Sequence, residues 1–180
     1  MMQHEVRQTV GSIAIAWNRA EAAVAGMAAL YLDVDRLTFD LLVKPLRPQD
    51  REKLLKAVVS AKEFDKAITE EIAQALKRTQ ICRENRNKVL HRLGELDGHL
   101  TDASAQTLQR VLVEIEAECA FLSDLHERVA RVLFDRNSRE VPNDEDQSGE
   151  DELRPVVEFT APDRPAKPKQ MQFEGLEVVE

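Results

Sequence analysis

Aromatic side chains are scarce in this chain: six phenylalanines, one tryptophan and one tyrosine make up 4% of its 180 residues. Leu, Val, Ile and Ala must therefore fill any core, and an apolar content of 43% is enough to do so. With Glu, Lys and Arg also abundant, such a composition favours helix over sheet. Cysteine is nearly absent. Cys82 and Cys119 stand alone in apolar helical patterns, with no CxxC and no Cys/His ligand spacing. They read as buried reduced thiols, and no metal site is expected. Long apolar runs are missing too. Ala22 to Leu32 is too short to span a bilayer, and the N-terminus lacks a basic stretch followed by a long apolar one. The default expectation is a cytoplasmic protein without membrane contact. Without a glycine-rich phosphate loop, an HExxH or a nucleophile elbow, nothing supports a kinase, P-loop enzyme, zinc protease or α/β-hydrolase, and no cofactor is indicated.

The net charge of −8 is unevenly spread. Residues 137–180 carry 12 acids and 5 bases, a net −7, which leaves residues 1–136 at 21 acids and 20 bases, a net −1. The acidity is thus mostly a property of the tail. The tail contains Asp144-Glu145-Asp146, Glu150-Asp151-Glu152 and Pro142, Pro155, Pro162, Pro165 and Pro168. It has no helical period and reads as a disordered acidic segment. Its acids could shield basic groups elsewhere, and its last part, which regains the apolar residues Phe159, Met171, Phe173, Leu176, Val178 and Val179, could dock on a partner surface.

Residues 1–136 read as an all-α, up-and-down bundle with two long helices. In 3–32, Val6, Val10, Ile13, Trp17, Ala20, Val24, Met27 and Tyr31 recur at steps of three and four. The back of that helix is small and apolar, so it needs more than one neighbour, one of which could come from a second subunit. Arg36 to Val43 is a short helix with Asp33 or Asp35 as its cap. Pro48 opens another that runs to Lys62. A long helix spans Phe64 to Leu93. Gly94, Asp97 and Gly98 mark a turn. A last helix from Thr101 or Asp102 to about Arg136 carries Leu108, Leu112, Ile115, Cys119, Leu122, His126, Val129 and Leu133 in its seam. The first and last helices are expected to pack antiparallel. His126 reads as a structural histidine.

Chemistry concentrates in Arg83-Glu84-Asn85-Arg86-Asn87-Lys88-Val89-Leu90-His91-Arg92. Steps of 100° put Arg86 within the apolar stripe and set Arg83, Asn87 and His91 in a polar row beside it, with Arg86 between row and core. An arginine offers a rigid fork for phosphate oxygens. A histidine titrates near neutrality and can act as acid or base. An asparagine can hold either group without competing for protons. Between Lys77 and Arg92 there are six bases and one acid. Lys77, Arg78, Arg83, Lys88 and Arg92 therefore form a candidate RNA-binding patch around Arg86. No aromatic residue lies there to stack bases, so sequence-specific reading is not indicated. Glu21, one turn after Trp17, is either an exposed helix glutamate or a carboxylate turned inward to pair with a buried arginine.

The segment Arg86-Asn87-x-x-x-His91 resembles the Arg-Asn-x-x-x-His signature of the HEPN superfamily, small helical proteins many of which are metal-independent ribonucleases and some toxins. An aromatic residue followed by a glutamate on the first helix, as in Trp17 and Glu21, also looks similar to several families of that group. The resemblance implies Arg86 and His91 as catalytic, Asn87 as their positioning partner, and Glu21 in support. It implies an endoribonuclease that cleaves by 2′-hydroxyl attack, a homodimer with both motifs facing one cleft, and an antitoxin as a further partner. The tyrosine that some such toxins carry after the histidine is missing, since Arg92-Leu93-Gly94-Glu95 follows. A non-catalytic scaffold of the same kind, binding RNA, nucleotide or a protein, is the alternative.

Overall fold

In the computed structural model of the chain, residues 2–95, 102–140 and 156–170 are described, with side-chain surroundings for 4–91, 105–138 and 156–170. Among the described residues there are helices and no strand. Helix α1 spans Met2–Leu32. Its expected seam is buried at Val6, Ile13, Trp17, Ala20, Val24, Met27 and Tyr31. Ala16, Ala23, Ala25 and Ala28 are buried as well, so α1 has neighbours on two sides. Asp33 then takes a left-handed φ of 55°, which reverses the chain. Asp35 caps the next element by accepting a 2.9 Å hydrogen bond from the Thr38 N–H.

That element is helix α2, Arg36–Thr38, which continues as a π-helical turn over Phe39–Val43. Helix α3 covers Pro48–Lys62, with proline in its first turn where no N–H is needed. Helix α4 covers Lys66–Glu95 and α5 covers Asp102–Glu140. Phe64, expected as the first residue of this long helix, instead precedes it and is 92% exposed. It lies in a tight link, where the Asp65 N–H donates to Glu63 Oε1 at 2.8 Å and Asp65 Oδ1 caps the Ala67 N–H at 2.8 Å. Gly94, expected in a turn, lies instead within α4, whereas Asp97 and Gly98 lie outside the described residues.

Helix directions follow from which residues meet. Arg51 of α3 lies against Glu21, and Glu63 just past α3 accepts from Tyr31, so α3 runs with α1. Arg78 meets Glu118 and Asn85 meets Glu114, so α4 and α5 are antiparallel. Val6 to Trp17 of α1 share one buried cluster with Leu108 to Ile115 of α5, Ala20 to Tyr31 share another with Cys119 to Val132, and Gly26 lies beside His126, so α1 and α5 run in parallel. The expected antiparallel pairing of these two helices is therefore corrected. The short 36–47 segment serves as a descending pass of its own, and with it the number of passes is odd.

Two buried clusters fill the bundle. One joins Ala20 to Tyr31 of α1 with Leu55, Val59, Ile68, Ile72, Leu122, Leu125, Val129 and Val132. The other joins Val6 to Trp17 with Cys82, Val89, Leu108, Val111 and Ile115. Between them lie the buried polar residues Arg78, Thr79 and Glu118. At the far end of the first cluster, Glu63 receives Tyr31 Oη at 2.7 Å and Arg136 Nη1 at 2.8 Å.

Residues 156–170 depart from the expectation of a tail without structure. They run extended over α4 and α5, with Phe159 packed against the first cluster and Pro162 and Pro168 buried. Burying a few side chains every third residue requires no core of its own, only a ready surface. The acidic runs at 144–146 and 150–152 lie outside the described residues.

Candidate functional site

The Arg86-Asn87-x-x-x-His91 segment sits in the last third of α4, where that helix faces the first half of α1. Asn87 and His91 are exposed, and Arg86 is half-buried. Its guanidinium carbon stands 5.7 Å from the centre of the Trp17 ring, within range of a cation–π attraction. Nη1 donates to Asn87 Oδ1 at 3.1 Å, which leaves the Asn87 amide nitrogen to donate outward. Arg86 Nε is buried and has no hydrogen-bond partner among the described residues. Asn87 and His91, four residues apart, share one helical row, and His91 lies ~7.5 Å further along the axis than Arg86.

Beneath this row is a support that begins with the Trp17 indole N–H, which donates to Glu21 Oε1. Glu21 is largely buried and turns inward, as one of its two expectations had it. Its arginine is not Arg86, however, but Arg51, whose Nη1 lies 3.7 Å from Glu21 Oε2. Thus α3 holds Glu21, Glu21 holds Trp17, and Trp17 holds Arg86.

The five expected RNA-binding bases separate into four groups. Lys77 and Lys88 are exposed. Arg83 is largely buried and paired with Glu52 at 2.6 Å. Burial raises the pKa of that glutamate, and Arg83 only partly offsets the rise. Arg78 departs most from its expected role. It is 8% exposed, binds Glu118 through Nε at 3.0 Å and Nη2 at 2.9 Å, and lies over Phe121 at 5.4 Å. A helix-face count cannot see a carboxylate supplied by another helix, so Arg78 is corrected from the surface patch to the core. The side chain of Arg92 lies outside the described surroundings.

Sequence reasoning missed two lysines of α3. A groove of about 410 Å³ between α3 and α4 is lined by Lys53, Lys56, Lys77 and Arg83 together with Gln49, Glu52 and Gln80. Ala73 and Leu76 also line it. Lys53 and Lys56 are separated from the motif by some thirty residues in sequence, and only the packing of α3 on α4 sets them beside Lys77 and Arg83. Cys82 is buried behind the motif, and burial pushes its thiol up to about 12. Among the described residues no cluster of His, Cys, Asp and Glu could hold a metal ion, and no helix is long and apolar enough to cross a membrane. No family model, curated protein or solved structure matches the chain.

Proposed function

We propose that the chain is a HEPN-type endoribonuclease that needs no metal, acting as a toxin or defence protein in the cytoplasm. The observation that supports this reading is the Arg86–Asn87–His91 row: a guanidinium fixed on an indole, joined to an exposed amide and followed by an exposed imidazole. The substrate's 2′-hydroxyl attacks the adjacent phosphorus and loses its proton to a base. The bond from phosphorus to the 5′-oxygen breaks, and that oxygen takes a proton from an acid. His91 serves one of these proton transfers, and its counterpart in a second copy serves the other. Arg86 stabilises the crowded phosphate, with Asn87 holding the guanidinium. Lys53, Lys56, Lys77 and Lys88 draw the RNA backbone toward the row. A homodimer fits the exposed apolar residues, Ile15 on α1 and Leu37, Leu41 and Leu42 on the short pass. An antitoxin would be a further partner.

A second reading, a scaffold that binds RNA, nucleotide or protein without cleaving, is favoured by the engagement of Arg78 and Arg83 with carboxylates. One experiment separates the two. Wild type and His91→Ala are incubated with RNA in chelator. The nuclease reading expects cleavage by wild type, 2′,3′-cyclic phosphate ends, and at least about a 100-fold loss in His91→Ala at unchanged helix content. If wild type leaves RNA intact, or His91→Ala cleaves as well, the scaffold reading replaces it.

A further inference from the structure

Three polar residues of α4, Glu71, Arg78 and Asn85, are buried at seven-residue spacing, two helical turns apart. Such a line on a helix face is costly unless each group is satisfied. Each of the three meets the extended segment 156–170. Glu71 is bound by Arg164, whose Nε lies 2.8 Å from Oε1 and 3.0 Å from Oε2, and whose Nη2 also reaches Oε2. Arg164 Nη1 donates to Gln74 Oε1 at 2.8 Å. Arg78 Nη2 donates to the Ala166 carbonyl at 3.3 Å. Asn85 Nδ2 donates to the Lys169 carbonyl at 2.9 Å, and Gln170 Nε2 reaches Glu84 at 3.4 Å. From α5, Arg128 is clamped by Asp124 through Nε and Nη2, and its Nη1 donates to the carbonyls of Thr160 and Ala161 at 2.9 and 3.4 Å.

The segment matches this surface by a period of three. Phe159, Pro162, Pro165 and Pro168 are buried or half-buried, and the residues between them are exposed. Three is the repeat of the polyproline II helix, which satisfies none of its own backbone groups and leaves its carbonyls outward. Prolines have no N–H to lose, so a surface of side-chain donors suits them. Apart from Val157 N–H, which donates to Asp135 Oδ2, the described polar contacts use carbonyls or side chains of the segment. Recognition of this kind is side chain onto ligand, with no shared ladder. Fifteen residues, 141–155, join α5 to the segment. Fully extended they reach about 50 Å. Val157 returns to Asp135, only ~7.5 Å of helix from Glu140, so the connection is far longer than the path requires.

We propose that the α4–α5 face is a binding groove for an extended, proline-rich segment bearing one arginine, and that 156–170 is its resident ligand in cis. A partner carrying the pattern Phe-x-x-Pro-x-Arg-Pro-x-x-Pro would compete for the groove, with Glu71 selecting the arginine and Arg78, Asn85 and Arg128 reading the carbonyls. Because the resident and the groove belong to one chain, a partner must first displace the resident.

The test starts from the folded full-length chain with a protease site placed between residues 141 and 155. After cleavage, a fluorescent synthetic peptide of residues 156–170 is titrated in, following anisotropy and helix content. The groove reading expects exchange of the cut fragment for the peptide with helix content unchanged. It also expects a peptide with Arg164→Ala, or a chain with Glu71→Gln, to bind at least about tenfold more weakly. Failure of the peptide to exchange, equal binding by these variants, or loss of helix on displacement would each overturn it, the last by making the segment part of the fold. His91 is untouched in every arm, so the result is independent of ribonuclease activity.

Discussion

A Cβ atom on Gly26 would lie 2.8 Å from Nε2 of His126 and 3.3 Å from its two neighbouring ring carbons. Glycine is thus what lets the imidazole stand between α1 and α5. Burial lowers the pKa of His126, which favours the neutral ring. In an open helix, Gly→Ala would stabilise by about 1 kcal/mol. Here the ring must move out of a packed seam, and Gly26→Ala should cost about 1 kcal/mol net. In the His126→Ala background the same change should turn stabilising. Urea unfolding of the four chains measures this coupling, and additive effects would refute the contact.

Glu63 should give the fold an acid-sensitive joint. Burial pushes its carboxyl pKa up, but bonds from Arg136, the Asp65 N–H and Tyr31 outweigh burial and leave it below the usual range. A pKa depressed in the folded state means stability that is present above the unfolded carboxyl pKa and lost as pH falls through the folded one. Arg136 is over a third exposed, which limits the contribution to about 1–2 kcal/mol. The melting temperature of wild type should exceed that of Glu63→Gln at neutral pH, and the gap should close on acidification. A gap that stays constant down to low pH would contradict the assignment.

Arg78 and Glu118 form an ion pair with side chains 9% and 2% exposed. Burial raises the Glu118 pKa even though Arg78 opposes the rise, so this carboxylate needs its partner to remain charged. Arg78→Met should destabilise by about 3–5 kcal/mol, because a buried carboxylate is left alone. Replacing both, with Glu118→Leu added, should recover most of that loss. Denaturant midpoints decide, and a mild loss in the single variant would return Arg78 to the surface patch.

The helices were legible because Leu, Ile and Val recur at helical spacing from Val6 to Leu133, and Pro48 marks its helix start. The row of Asn87 and His91, with Arg86 between row and core, followed from 100° steps, but Arg83, set in the same row by those steps, is instead largely buried against Glu52. Partners on other helices were not legible. Glu118 is 40 residues from Arg78, and nothing local announces the pair. The direction of α5 relative to α1 depended on whether 36–47 counted as a pass, which its length left open. In 156–170 Phe159, Pro162, Pro165 and Pro168 recur every third residue, a period that a test for helical spacing does not detect.

The layer of Arg78, Thr79 and Glu118 between the two clusters has a dynamic consequence. Cooperative opening spreads through apolar contact, and a polar layer weakens that spread. The cluster holding Trp17, Cys82 and Val89 is the smaller, and it carries Arg86. That end of the bundle is expected to exchange its amide protons first, while Leu55, Ile72 and Leu125 at the other end stay protected. The row that faces the solvent would then ride on the less stable half of the molecule, with room to adjust its shape while the rest stays closed.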